Sequence, residues 1–417
     1  MSDPDVLSDP LLEQLYKEPW LVRRHPDGAR QYFRDKSDVD LKEIFLDYYA
    51  LQTGEFGERL DGEAAPSVSG IKERVAKNQM SFPDFTCITE EAPAAHHSRA
   101  NRSFDVPAVE THVMEGEAFL SLNYDIPVVA RRSEGRLAVV PSISSGHFAV
   151  LNIKGGARIF EKNQLILESV YCFNDHFGAN NFAHWLLDWV PRLKFLVEDP
   201  QLKRHSLIFG MPMNRVQRQV LSALKIDANR VIQVKKGSLE APVTFAVANL
   251  VGCNIAGPAL RRPAQACSPW ALEFIRGIFL KGRPSGKRKR LLINRRGTRK
   301  LLISDATRYY LERAGFQEIL LESQPLADQA RMFNDAEIII SAHGAALSNL
   351  VFCEPGTRIL EIFPQNYSTS NFFALASASG LDYVCAVGIS QKSPLGNHLR
   401  DFDIVVDDAI IHGFMAG

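Results

Sequence analysis

The chain has 417 residues, beyond the size at which one hydrophobic core usually stops growing, so its length favours two main domains plus an appendage. Hydrophobic residues at 46% and charged residues at 23% are ordinary for a globular protein, and Lys+Arg balances Asp+Glu at 48 each, which gives no global pull toward nucleic acid. No stretch approaches the roughly 18 apolar residues of a membrane span, and the acidic start MSDPDVLSDPLLEQ lacks the apolar core of a signal peptide. A soluble cytoplasmic protein is expected. The six cysteines form no C-x-x-C pair and sit mostly in apolar surroundings, as reduced thiols do, and no zinc site is visible.

Residues 1–105 mix charged helical stretches with Pro, Gly and Ser and are read as a variable N-terminal appendage. Residues 106–256 are read as a first α/β domain. It opens on short β-like runs at 118–122, 127–130, 137–140, 148–153 and 164–169, then gives a helix over 180–197, a strand at 206–209, a helix at 215–224 and strands near 230–234 and 244–250. A Pro-rich stretch, one helix at 269–280 and the basic RPSGKRKR segment make 257–289 an interdomain connection. Between 290 and 390 strands and helices alternate strictly, which predicts a parallel, doubly wound sheet. Residues 391–417 are read as a C-terminal tail.

The richest unit runs over 337–364, EIIISAHGAALSNLVFCEPGTRILEIFP. A β-branched strand leads into Ser341-Ala342-His343-Gly344, and Ala345 opens a helix whose first backbone N–H groups have no partner within the helix and suit a phosphate. The following strand carries Glu361 near its C-terminal end, where ligands of open α/β sheets bind, and a ribose hydroxyl pair is its expected partner. Ten Lys and Arg and no acidic residue fall between Lys281 and Lys300. Of these, Arg295 and Arg296 stand where a buried strand ends, and their planar forks suit a diphosphate.

A second informative segment, NDHFGANNFAHWLLDWVPRL over 174–193, places His184, Asp188 and Arg192 at four-residue intervals, one polar stripe on an apolar helix, with Pro191 as a kink or a new start. A His beside a carboxylate is a tunable proton acceptor. Asp188 is the favoured base, with His184 orienting it or sharing its proton and Arg192 keeping it ionised. Asp175 and His176 are more remote candidates, and Asn180 joins them and Arg192 on the acceptor side. Two D-x-D segments, Asp38-Val39-Asp40 and Asp401-Phe402-Asp403, have metal-like spacing but lie outside the predicted sheets, so no metal is expected there.

HWLLDWVPRL, then INRRGTR, then NDAEIIISAHGAALSNLVFCEPGTRILEIFP together resemble the family 61 glycosyltransferases, which include bacterial capsular polysaccharide biosynthesis proteins. The resemblance covers roughly 110–390 and implies a GT-B architecture, two Rossmann-like domains facing a cleft, with residues 290–390 binding the nucleotide sugar. It implies inverting, metal-independent transfer without a cofactor from a nucleotide sugar, commonly a UDP-sugar, to a saccharide or glycan, in capsular or surface polysaccharide biosynthesis. Peripheral association with membrane assembly machinery at the inner membrane face stays open. The competing readings are a nucleotide-sugar epimerase or hydrolase of similar fold, and a non-enzymatic anion-binding protein built on the basic span.

Overall fold

Runs such as Ile338-Ile339-Ile340 are apolar at every position, which a strand tolerates only when both faces of its sheet are covered. The structure, a computed structural model, describes residues 70–417 except 91–92, 94–99, 107, 124–125, 134–135, 140–163, 173–180, 210–212, 234–242, 254–266, 283–285, 287, 366 and 396–400. It contains two mixed eight-stranded sheets. The first uses β1 (Gly70–Val75), β5 (Val109–Asn123), β6 (Ile126–Ser133), β7 (Arg136–Val139), β8 (Gln164–Cys172), β9 (Ser206–Phe209), β10 (Val231–Gln233) and β11 (Val243–Cys253). Their order is β10-β9-β8-β11-β5-β6-β7, with β1 also on β5. The four strands β10, β9, β8 and β11 run parallel, and β5 to β7 continue the sheet as an antiparallel meander.

The second sheet uses β3 (Thr86–Cys87), β12 (Lys289–Asn294), β13 (Leu301–Leu302), β14 (Phe316–Leu320), β15 (Ala336–Ala342), β16 (Arg358–Pro364), β17 (Asp382–Gln391) and β18 (Asp403–Val405). Its order is β13-β18-β17-β16-β15-β12-β14, with β3 also on β17. Strands β14, β12, β15, β16 and β17 are parallel, as the alternation of elements predicts, whereas β18 returns antiparallel to β17. A separate ribbon pairs β2 (Asn78–Phe82) with β4 (Arg102–Val106).

Successive residues of β15 serve different cores, as strand geometry requires. Ile339 joins a large cluster, and Ile338 and Ile340 face a second one on the other side of the sheet. The large cluster holds residues from both sheets, including Tyr171, Leu207, Ile293 and Ile339. The described part of the N-terminal region, read as an appendage, is built into the rest of the fold: Met80 and Phe82 are buried in that cluster, and β1 and β3 extend the two sheets. The C-terminal tail is corrected likewise. Residues 403–405 form β18 inside the second sheet, and Ile410, Ile411 and Phe414 of the last helix (Asp408–Ala416) are buried in its outer core. Among the described residues no helix is long and apolar enough to cross a membrane.

The helical segment 182–198, α1, lies against both sheets' shared core. Asn181 starts it by accepting from the N–H groups of Ala183 and His184. Pro191 has no N–H to offer, and the preceding turn, Trp185–Trp189, widens to π geometry before a 3₁₀ turn, Val190–Arg192, and a final α stretch, Leu193–Glu198. Arg192 thereby falls inside and is fully buried, with its carbonyl accepting from the Tyr171 hydroxyl at 2.8 Å.

The far end of α1 is tied to β1 by charge. Asp199 accepts from Lys72 at 2.9 Å, from Arg74 at 2.6 Å and from the Gln201 N–H, while Arg74 also donates to Thr111. Burial works against the carboxylate, yet these bonds outweigh it and hold Asp199 well below the usual carboxylate range. A depressed folded value means stability that is present above the unfolded value of about 3.9 and lost as pH falls below it. Asp199→Asn should lower the unfolding free energy by about 2–3 kcal/mol at neutral pH. Denaturant titrations at several pH values check this: the gap between wild type and variant should shrink as pH drops below about 4.

Candidate active site

Where α1 meets the C-terminal ends of β15 and β16 there is a cavity of about 410 Å³, within the range of small-molecule sites. One wall is α1, which contributes Asn181, His184, Leu187 and Asp188. The facing wall comes from the second sheet and its loops, with Arg299, His343, Gly344 and Ala345. Segments 182–192 and 294–344 therefore converge on one space, although more than a hundred residues separate them in the chain.

On the α1 wall Nδ1 of His184 lies 2.6 Å from Oδ2 of Asp188. The His side chain is 28% exposed and the Asp 12%, so the imidazole is the more accessible member and the carboxylate stands behind it. Arg192 does not extend this stripe into the cavity, because the π and 3₁₀ turns shift its phase and bury it.

On the facing wall the strand β15 ends in the turn that sequence reading singles out. His343 continues the ladder through its N–H to the Ile362 carbonyl at 2.8 Å, and its ring stacks on Phe363 with centroids 4.7 Å apart. Its Nδ1 lies 2.6 Å from Oε1 of Glu361. The next residue, Gly344, is extended (φ 168), so no left-handed backbone demands glycine there. Space demands it: a Cβ on Gly344 would lie 2.7 Å from Nη1 of Arg295. That Nη1 is buried and has no hydrogen-bond partner among the described residues. Burial lowers the basicity of Arg295, with Glu322 and Asp401 pulling the other way, and the guanidinium stays cationic at neutral pH. Thr369, on the same wall, also has a buried hydroxyl without a partner among the described residues.

Arg299 reaches the cavity because Asn294 closes the loop after β12. The Asn294 carboxamide accepts from Arg295 N–H and Leu301 N–H and donates to the Leu301 carbonyl, folding 295–301 back on itself. Arg299 adopts a left-handed backbone (φ 59), and its Nη1 lies 3.4 Å from the His343 carbonyl. Sequence reading counted Arg299 only as part of a basic run and missed its position. It also missed Asp401, Tyr367 and Thr369, which line the cavity from loops with no periodic signal.

Several expected residues stand elsewhere. Arg296 is exposed, with its backbone N–H directed to Glu322, and does not line the cavity. Ser341 is buried and spends its hydroxyl on the Ala342 carbonyl. Glu361 is fully buried with one oxygen toward His343 and the other accepting from Tyr383 at 2.5 Å, so it has no oxygen for a ribose. Asp175, His176 and Asn180 lie outside the described residues, as does the Asp38 to Asp40 segment. The second D-x-D segment is corrected: Asp401 lines the cavity and Asp403, which accepts from the Lys300 N–H, begins β18. Among the described residues no group of three or more His, Cys, Asp or Glu side chains is placed to hold a metal ion.

The Glycosyltransferase 61 family model matches residues 182–360, a stretch that contributes to both walls. An alpha-1,3-arabinosyltransferase of Oryza sativa subsp. japonica is 28% identical over 157 residues, 34% of this chain and 27% of that protein. A beta-1,2-xylosyltransferase of Arabidopsis thaliana is 39% identical over 64 residues, 15% of this chain and 12% of that one. A protein O-linked-mannose beta-1,4-N-acetylglucosaminyltransferase 2 of Canis lupus familiaris is 29% identical over 298 residues, 64% of this chain and 50% of that one. The chain thus spans half the length, or less, of these curated relatives.

Gly344→Ala should separate fold from site. Only the mobile end of Arg295 has to yield, so the melting temperature should stay near wild type. The displaced guanidinium should cost about tenfold in affinity for inorganic diphosphate, the equivalent of one charge-assisted bond. Calorimetric titration alongside thermal melting checks both, and unchanged diphosphate affinity would take Arg295 out of the site.

Proposed function

Because the glycosyltransferase 61 family model matches residues 182–360, we propose that the chain moves a sugar from a nucleotide-sugar donor to a saccharide or glycan acceptor by inverting displacement. The observation that carries this reading is a single cavity with a His–carboxylate pair on one wall and a cationic, glycine-turned wall opposite it. The donor diphosphate would sit against Arg295, Arg299 and the His343-Gly344-Ala345 turn. The acceptor hydroxyl would approach from α1. Two sheets that each contain a parallel run of strands are in keeping with a GT-B arrangement of two Rossmann-like halves.

In such a displacement the acceptor oxygen bonds to the anomeric carbon and loses its proton to a base. The bond from that carbon to the diphosphate oxygen breaks, and its electron pair leaves with the diphosphate. The exposures of the pair favour His184 as the proton acceptor, with Asp188 holding Nδ1–H and stabilising the imidazolium, the reverse of the order expected from sequence. Charge on the leaving group would be met by guanidinium groups and turn amides, so transfer is proposed to run without a divalent ion. A UDP donor, a cytoplasmic setting and a part in surface polysaccharide assembly belong to the same reading. The free thiols of Cys353 and Cys385 support the second, and glycan-modifying relatives support a glycan acceptor in general.

Asp188→Asn keeps the size of the side chain but cannot hold the imidazolium, so kcat should fall by roughly 10² to 10⁴ with donor affinity almost unchanged. Near-normal turnover would make the pair structural. Transfer should also persist in EDTA; loss that Mn²⁺ or Mg²⁺ restores would send attention to Asp401. Free sugar or an epimer released without any acceptor would point to the hydrolase or epimerase reading instead.

A further inference from the structure

The mechanism above leaves one buried polar group unused. Glu361 lies on β16 with no exposed surface, His343 at the end of β15 is 3% exposed, and Tyr383 on β17 completes a line across three adjacent parallel strands. Glu361 pairs in register with Cys385, two residues on from Tyr383, so Glu361 and Tyr383 share a face of the sheet on the diagonal. The Tyr383 hydroxyl donates to Oε2 at 2.5 Å, and Oε1 takes Nδ1 of His343 at 2.6 Å. Burial and the neighbouring Glu361 carboxylate push the Tyr383 phenol well above its ordinary value, so it remains a donor.

A carboxylate taken out of water costs several kcal/mol unless a charge and further hydrogen bonds answer it. An apolar residue at 361 would pack in this sheet at no such cost, so the arrangement is not explained by stability. The ring of His343 is fixed on three sides, by Phe363 at 4.7 Å, Tyr367 at 5.4 Å and Phe372 at 5.5 Å between centroids. With Nδ1 taken by Glu361, Nε2 is the ring nitrogen left over, and it has no hydrogen-bond partner among the described residues. His343 lines the cavity beside Gly344 and Arg299.

We propose that Tyr383 and Glu361 are positioning residues that hold His343 as an imidazolium whose Nε2–H donates to the diphosphate of the donor. The inference rests on the nucleotide-sugar reading for the identity of the anion, but not for the state of the ring. The relay gives the two walls opposite tasks: His184, backed by Asp188, takes a proton, and His343, backed by Glu361, presents one to the charge that develops on the leaving group. Anion recognition by a ring with a buried counter-charge needs no movement when that charge forms.

Two measurements test it, neither of which needs turnover. In ¹⁵N NMR of the full chain at neutral pH, His343 should carry a proton on both ring nitrogens, and Nε2 should shift when inorganic diphosphate is added. Glu361→Gln should remove one of those protons. An unprotonated Nδ1 in wild type would overturn the proposal. In calorimetric titration with inorganic diphosphate, Tyr383→Phe, which keeps the ring against Phe373, should weaken binding about fivefold, the worth of one hydrogen bond. In a His343→Ala background the same change should have no further effect on diphosphate affinity. A Tyr383→Phe effect that persists there would make the relay merely structural. Failure to transfer sugar from any nucleotide donor, with both results as expected, would count against the parent reading alone.

Discussion

The whole site depends on where α1 is held. Trp185 and Trp189 are almost fully buried, pack edge to face with ring centroids 5.4 Å apart, and lean on Phe209 at the end of β9 at 5.9 and 6.2 Å. The same core takes in Ile275, Phe333 and Leu347 from the side of the second sheet. Two indoles bury several hundred Å² between them, so this contact is worth several kcal/mol and ties α1 to both sheets at once. With one side of the helix committed to the core, its remaining side, with His184 and Asp188, has to face the turn after β15. Asp199 fixes the far end against β1, which leaves little freedom for α1 to rotate.

The electrostatics of the cavity follow from burial on the sheet side and exposure on the helix side. His184 and Asp188 keep some contact with water. Arg295 and Glu361 are largely removed from it, so their charges act in a low-dielectric surrounding where each is stronger and each needs an answer. Glu361 meets His343 Nδ1 and the Tyr383 hydroxyl. The buried Nη1 of Arg295 and the hydroxyl of Thr369 have no hydrogen-bond partner among the described residues. The basic run in the sequence proves to serve two places. Arg299 lines the cavity and Arg295 packs beneath Gly344 at its edge, while Lys281 lines a separate groove with Arg215, Arg218 and Arg331.

The strand and turn over 336–344 and the strand over 358–364 were legible because fully buried parallel strands leave unbroken apolar runs bounded by glycine and proline. The segment between them was read as a helix and is 3₁₀ over Ala345–Phe352, a type that composition does not encode. The pair His184 and Asp188 was visible from spacing, but Arg192 was misplaced because Pro191 changes the helical phase, which a count of fours ignores. Glu361 was misread for a related reason: its place near a strand end is clear, whereas the depth of its side chain and the tyrosine on the next strand are tertiary facts. Arg299 became visible only once Asn294 was seen to fold the loop. The three residues of β18 are too few to show any period, so the tail concealed a strand of the sheet.

The central claim is that sugar nucleotides bind between α1 and the His343 turn, and backbone hydrogen exchange tests it most directly. With a panel of UDP-, GDP-, CMP- and dTDP-sugars, the one that binds should slow exchange in 295–301 and 343–347 and at the start of α1, and should leave 215–223 and 278–281 unchanged. Protection of the groove around Arg215 and Lys281 instead, with the cavity segments unaffected, would contradict the account.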